Sequence, residues 1–222
     1  MGESSATRAP LRLAVLISGG GTSLANLIDR VRDGRLSGVE IVAVVSSRSA
    51  VGGVAIAEQA GIPVRVIPRS AAPDAASLST AIGDVCDRVR AELVVMAGFL
   101  RLWRIPGAYR DRVLNMHPAL LPRFGGRGMY GLRVHEAVLA AGEHESGCTV
   151  HVADDEYDHG PIVAQRRVPV RLDDTPESLA ARVMAAEREL YPEVIQSVAS
   201  DGLAALKRWI ARSAALEQRV RS

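Results

Sequence analysis

Asn115 and His117 stand two residues apart in "VLNMHPALLP", and what they can do together depends on which way they face. On a β-strand residues i and i+2 project to the same side, so both side chains leave the end of "RVLNMH" together. Pro118 confines His117 to an extended backbone and ends the strand there. A carboxamide N–H2 beside an imidazole is a donor pair suited to an oxyanion forming on an attacked carbonyl. Imidazole also moves protons near neutral pH. A satisfied structural pair is the plainer reading of an isolated Asn-x-His. Further along, "ADDEYDHGPI" supplies Asp154, Asp155, Glu156 and Asp158 in a turn before a strand. A carboxylate from that turn would hold His117 in position and favour its protonated form. His151, Asp154, Asp158 and His159 are also of types that ligate zinc or another divalent cation, but their spacing fits no established site, and no metal is expected. His135 is placed near the start of a helix and His144 in an exposed turn, with no role for either.

A second candidate site is the glycine run in "LAVLISGGGTSLANLI", which reads as strand, turn and helix. That geometry aims the free N–H groups of a helix N-terminus at an anion. As a dinucleotide fingerprint it is defective: Leu24 stands where the third glycine belongs, and the next strand ends in Ser46, Ser47 and Arg48 rather than an acidic ribose ligand. No Gly-Lys-Ser/Thr is present for a Walker loop. The leading reading is one phosphate monoester held by Gly21, Thr22 and Ser23; the alternative is a tight turn with no ligand.

These residues need a scaffold, and the rest of the chain supplies the pattern of one. Apolar runs of strand length ("LRLAVLI", "VEIVAVVSS", "IPVRVI", "ELVVMAGF") alternate with helix-like stretches. Strands so uniformly apolar are buried on both faces, as in a parallel sheet between helices. After about residue 112 the rhythm changes, and "GCTVHVA" and "PIVAQRRVPV" read as a hairpin-like pair joined by the acidic turn. A long helix is predicted from an N-cap at Thr175 with Pro176 in its first turn, and Leu179, Val183, Ala186, Leu190 and Val194 form its apolar stripe. The expected organisation is a tail over 1–10, frayed, one α/β domain over 11–204, and a helical tail over 205–222 whose apolar side packs on the domain or on a second subunit.

Composition narrows the function classes. With 222 residues and 48% apolar content the chain fills a substantial core. A net charge of +2, from 27 basic and 25 acidic residues, gives no electrostatic reason for a nucleic-acid or membrane partner. Cys86 and Cys148 lie far apart without C-x-x-C spacing, which points to neither a disulfide framework nor a zinc site and fits a reducing cytoplasm. The first apolar run is too short for a signal or a span.

Taken in order, "VLISGGGTSLANLI", "VVSSRSAVGGVAIAEQAGIPV", "VVMAGFLRLW", "VLNMHPALLPRFGGRGMYG" and "DDEYDHGPIVAQ" resemble the phosphoribosylglycinamide formyltransferases of purine biosynthesis, over about Leu11 to Gln196. The resemblance implies a Rossmann-like formyltransferase fold, with a mostly parallel sheet flanked by helices on both faces. It implies transfer of the formyl group of 10-formyltetrahydrofolate, a cosubstrate, to the amine of glycinamide ribonucleotide. Asn115 and His117 would stabilise the tetrahedral oxyanion and Asp158 would pair with His117 and relay the amine proton. The ribonucleotide would take Gly21, Thr22, Ser23 and, for its ribose, Glu187. The folate would meet Leu100, Arg101, Leu102 and Trp103 on one side, Asn115, and Asp154, Asp155, Glu156, Tyr157 and Asp158 on the other. Read from its helix alone, Glu187 lies at the edge of the apolar stripe, where it either faces inward to a partner or pairs on the surface with Arg182 or Arg188.

The chain departs from the family pattern in three places. Ser23 replaces the usual Asn, Trp103 is bulkier than the aliphatic residue expected in the folate cleft, and the basic residue near the third strand has no clear counterpart beyond Arg69. The alternatives are another 10-formyltetrahydrofolate-dependent formyltransferase, a formyltetrahydrofolate deformylase or, from a different class, a nicotinamide-binding module or a non-catalytic folate sensor. A cytoplasmic enzyme is expected, with small-molecule partners, no nucleic acid, no membrane, and a homodimer as the candidate assembly.

Overall fold

The computed structural model describes residues 9–221, with side chains through residue 215. The expected frayed segment over 1–10 therefore falls mostly outside the described residues. Seven strands form one sheet: β1 (Leu11–Ile17), β2 (Val39–Ser46), β3 (Val64–Val66), β4 (Leu93–Met96), β5 (Val113–His117), β6 (Glu145–Val152) and β7 (Ile162–Pro169). Their spatial order is β3-β2-β1-β4-β5-β6-β7, parallel through β5, with β6 and β7 added antiparallel. The change of direction at β6 is the change of rhythm visible in the sequence after residue 112.

The sheet is buried on both faces because its strands are apolar on both. Along β1, Leu13, Val15 and Ile17 join one core while Ala14 and Leu16 join the other. The first core packs under α1 (Thr22–Arg32), α2 (Gly52–Gln59) and α5 (Pro176–Asp201), through Leu24, Leu27, Ala57, Leu179 and Val183. The second packs under α3 (Ala75–Arg88), through Leu78, Ile82 and Val85. Cys86 and Cys148 are free and buried, and burial pushes both thiols up to about 12.

Helix α5 starts where its sequence predicts. The Thr175 hydroxyl accepts the Ser178 N–H at 3.2 Å, Ser178 reciprocates at 3.0 Å, and Pro176 opens the first turn. All five residues of its apolar stripe are buried. The buried Tyr191 hydroxyl lies 2.9 Å from the Leu114 carbonyl and 3.2 Å from that of Met96, tying α5 to β5 and to the end of β4 beside Asn115. In α6 (Ala204–Arg221) Leu206 is buried and Trp209 and Ile210 pack against the first core, so these side chains dock on the domain.

Strand order reverses between β1 and β4, and the carboxyl ends of strands at such a reversal open a crevice between diverging loops. The turn after β1, the segment after β4 and the end of β5 all emerge there. The first is set by Gly21, the α1 N-cap, at φ 80°. A Cβ at Gly21 would lie 2.4 Å from the Gly53 Cα at the start of α2, so both backbone conformation and close approach demand glycine. Gly21→Ala is expected to lower stability by at least ~1–2 kcal/mol from the left-handed conformation alone. Chemical denaturation checks this, and an unchanged midpoint would contradict it.

Candidate active site

A cavity of about 590 Å³ occupies the crevice, within the size range of small-molecule sites. One wall is the segment after β4, where Leu100, Arg101, Leu102 and Trp103 all line it. The Ser18 hydroxyl accepts the Leu100 N–H at 3.0 Å and pairs with the Ser47 hydroxyl at 2.6 Å, fixing this segment to β1 and β2. Trp103 is 3% exposed and sits in the second core, which absorbs the bulk that marks it as a departure. Asp154, Glu156, Tyr157 and Asp158 line the cavity from the β6–β7 connection. Asp155 is not in the lining: its carboxylate accepts the Ile105 N–H at 3.0 Å and faces Arg110 at 3.5 Å, clamping the two connections together.

The floor is made by β5 and β6. Asn115 and His117 both line the cavity, as same-side neighbours on β5. The antiparallel register sets His151 of β6 directly opposite Asn115. One carboxylate gathers these groups. Asp158 Oδ1 lies 3.2 Å from Asn115 Nδ2 and 3.6 Å from His151 Nε2; its Oδ2 lies 3.3 Å from His117 Nδ1 and accepts the Gly126 N–H at 3.0 Å. Asn115 Nδ2 also lies 2.9 Å from His151 Nε2. Because an amide nitrogen only donates, that His151 nitrogen must be the acceptor, with the Nδ1 proton turned toward the Val152 carbonyl at 3.3 Å.

The donors expected from the sequence are thus present but engaged. Both Asn115 N–H groups have acceptors in His151 and Asp158, and His117 Nε2 donates to the Phe124 carbonyl at 2.8 Å. His117 Nδ1, facing Asp158, carries a proton only in the imidazolium form. Burial lowers the His117 pKa and outweighs the opposing pull of Asp158 and the Phe124 carbonyl. The expected preference for the charged form is therefore reversed, because the imidazole is 3% exposed. Burial works to raise the Asp158 carboxyl, but His151, His117 and the Gly126 N–H together hold it below the usual carboxylate range.

The backbone is strained at two of these contacts: Phe124 and Asp158 have φ of 57° and 54°, a region that non-glycine residues seldom enter. Gly125 lies between them in space, where a Cβ would meet Leu121 Cδ2 at 2.5 Å and Asp158 Cβ at 3.2 Å.

The remaining wall comes from α1, α5 and α4 (Leu132–Ala140). Ser23 lines the cavity at the α1 N-terminus; Gly21 and Thr22 do not, although Gly21 caps that helix. Glu187 lines it from α5 and makes no hydrogen bond or ion pair among the described residues. The surface pairing is not formed: Arg182 binds Asp174 at 2.6 and 2.8 Å. Burial pushes the Glu187 carboxyl up to about 7. His144 is exposed, but His135 is buried and lines the cavity.

The four metal-type residues separate into two pairs, His151 with Asp158 and, outside the cavity floor, His159 Nδ1 with Asp154 at 2.7 Å. Among the described residues no group of three or more such side chains could hold a metal ion. Sequence reasoning weighed His151 only as a metal ligand, gave His135 no role, and missed the loop groups Phe124 and Gly126. A polar residue inside the apolar strand "GCTVHVA" was the available signal for His151; the loop groups act through backbone atoms and carry none.

A family model described as Formyl transferase matches residues 11–195. The chain is 40% identical over 193 residues to an Arabidopsis thaliana protein named phosphoribosylglycinamide formyltransferase, chloroplastic, with 86% of this chain and 66% of that one covered. It thus spans just under two thirds of that relative's length. A Haemophilus influenzae protein named phosphoribosylglycinamide formyltransferase is 34% identical, with 83% of this chain and 85% of that one covered. The crystal structure of glycinamide ribonucleotide transformylase 1 from Symbiobacterium toebii matches with a TM-score of 0.80 at 36% identity, covering 86% of this chain and 89% of that one. The matched span contains all seven strands of the sheet and every side chain that lines the cavity floor, and the chain belongs to the formyl transferase family.

Proposed function

We propose that the chain transfers the formyl group of 10-formyltetrahydrofolate to the amine of glycinamide ribonucleotide, giving N-formylglycinamide ribonucleotide and tetrahydrofolate. The observation that carries this reading is the cluster of Asn115, His117 and Asp158 at the floor of a cavity with two unlike walls. The folate takes the wall of Leu100 to Trp103 and the Asp154 to Asp158 connection, where apolar side chains and backbone polar groups suit a flat heteroaromatic ring. The ribonucleotide takes the helical wall, with its phosphate at the α1 N-terminus by Gly21, Thr22 and Ser23 and its ribose at Glu187.

In the reaction the amine attacks the formyl carbon, leaving negative charge on the formyl oxygen and a surplus proton on nitrogen. One Asn115 N–H leaves its resting acceptor and donates to that oxygen. The resting imidazole has a bare Nδ1 beside the Asp158 carboxylate, which makes the pair a seat for the amine proton. Once it arrives, the imidazolium adds positive charge near the oxyanion. Collapse of the intermediate breaks the bond to the folate nitrogen, and the proton is passed to that leaving group. The same reading places a single formyltransferase unit over 11–204 with a helical tail over 205–222, in the cytoplasm, with a homodimer as its assembly. No helix among the described residues is long and apolar enough to cross a membrane.

The test is the absorbance change as 10-formyltetrahydrofolate loses its formyl group. Conversion that requires glycinamide ribonucleotide supports the transferase, and conversion in water alone would make the protein a deformylase. Asn115→Ala is expected to reduce kcat by about 100-fold to 1,000-fold, the usual cost of an oxyanion donor, with the fold retained by circular dichroism; a near-normal rate contradicts that role. Asp158→Asn is expected to depress kcat while leaving ribonucleotide binding intact in titration calorimetry.

Glu187 generates a pH prediction. Its folded pKa of about 7 lies above the ordinary value of 4.5, so the folded state binds the extra proton and stability falls as pH rises between those values. Glu187→Gln is therefore expected to be more stable than the parent at pH 8, by about 1 kcal/mol after allowing for its partial exposure, and to lose that advantage by pH 4. Melting temperatures of both proteins across that range decide it; equal pH dependence contradicts it.

A further inference from the structure

His135 has no part in the catalytic cluster, yet its environment is not that of an ordinary core residue. Its side chain is 4% exposed, and Nδ1 is fully buried without a hydrogen-bond partner. Nε2 has no protein partner either, but it is not closed off, and the ring lines the cavity. Buried polar groups are paired in the great majority of cases, so an imidazole left without any partner at a cavity wall lacks an explanation within the protein. Thr149, by contrast, at the same sheet end, is saturated by Leu121, Ala119 and Gln165.

Position says which ligand would supply the partner. Helix α4 packs on α5 and α5 on α1, making one continuous wall that carries His135, Glu187 and Ser23. The segments assigned to the folate come from the other side of the cavity. His117 is close enough to act electrostatically on His135, which places the ring near the reacting centre. Resting on the reading of the helical wall as the ribonucleotide side, we propose that His135 is a substrate-binding residue whose Nε2–H donates to an oxygen of the ribosylglycinamide part of the ribonucleotide. The tautomer follows from the burial of Nδ1. A bare nitrogen there needs no acceptor, so the ring's one proton resides on Nε2. Burial and His117 both act against a second proton.

The test varies each substrate in turn for the parent protein, His135→Leu, His135→Gln and His135→Asn. Gln sets an amide N–H near the Nε2 position, whereas Asn sets its amide near Nδ1. Loss of one hydrogen bond to substrate is expected to raise the KM for glycinamide ribonucleotide by about ten-fold in the Leu and Asn variants, with the KM for 10-formyltetrahydrofolate within about two-fold. The Gln variant should recover most of the loss. An unchanged ribonucleotide KM in the Leu and Asn variants overturns the proposal, as does an equal rise for both substrates. If the Leu variant fails to fold, the contrast between Gln and Asn decides the matter by the same criteria. A parent protein without ribonucleotide-dependent turnover overturns the assigned reaction and this inference with it, whereas a normal parent with unresponsive variants overturns this inference alone.

Discussion

The site depends on a carboxylate that has been taken out of water. Burial alone would drive Asp158 toward its neutral form, and it remains an anion because polar groups from several elements converge on it, with the Asn115 amide and the Gly126 N–H donating to it. Asn115 and His117 come from β5, His151 from β6, and the Gly126 N–H from the long connection between β5 and α4. No two of these are close in sequence except the first pair. The carboxylate thus couples the register of the β5–β6 ladder to the path of two loops, and any slip in that register would leave a buried charge without compensation.

The same constraint explains the local strain. To face both β5 and Gly126, the Asp158 backbone adopts a left-handed conformation, and Phe124 does so to turn its carbonyl onto His117 Nε2. Such conformations persist only where surrounding contacts over-determine them. Here those contacts are the clamp of Asp155 on Ile105 and the close fit of Gly125 against Asp158. Within this cluster the Asn115 amide, the His117 Nε2–H and the Gly126 N–H are consequently engaged on protein acceptors until a ligand replaces one partner.

Much of the scaffold was legible in the sequence because it rests on local patterns. Apolar strands, the Thr175 cap and the α5 stripe are each readable from a few neighbouring residues, and so is the same-side placement of Asn115 and His117. The reversal of strand direction at β6 left its mark as a change of spacing. What the sequence did not disclose depends on contacts distant along the chain. His151 joins the cluster through its cross-strand partner, and Asp155 turns away from the cavity because an N–H from residue 105 is available to it. The charge state of His117 depends on how deeply the β5 end is covered, which residue types do not report.

One buried carboxylate organises the site and raises the proton affinity of a His117 whose burial lowers it. The most direct test is a pH titration of the histidine ring signals by nuclear magnetic resonance, with His117 assigned, in the parent protein and in Asp158→Asn. His117 is expected to titrate below the ordinary imidazole value of 6.5 in the parent. In the variant the value is expected to fall further, because the pull of the carboxylate is gone while the burial remains. A His117 that titrates like an exposed imidazole, or identically in the two proteins, would contradict it.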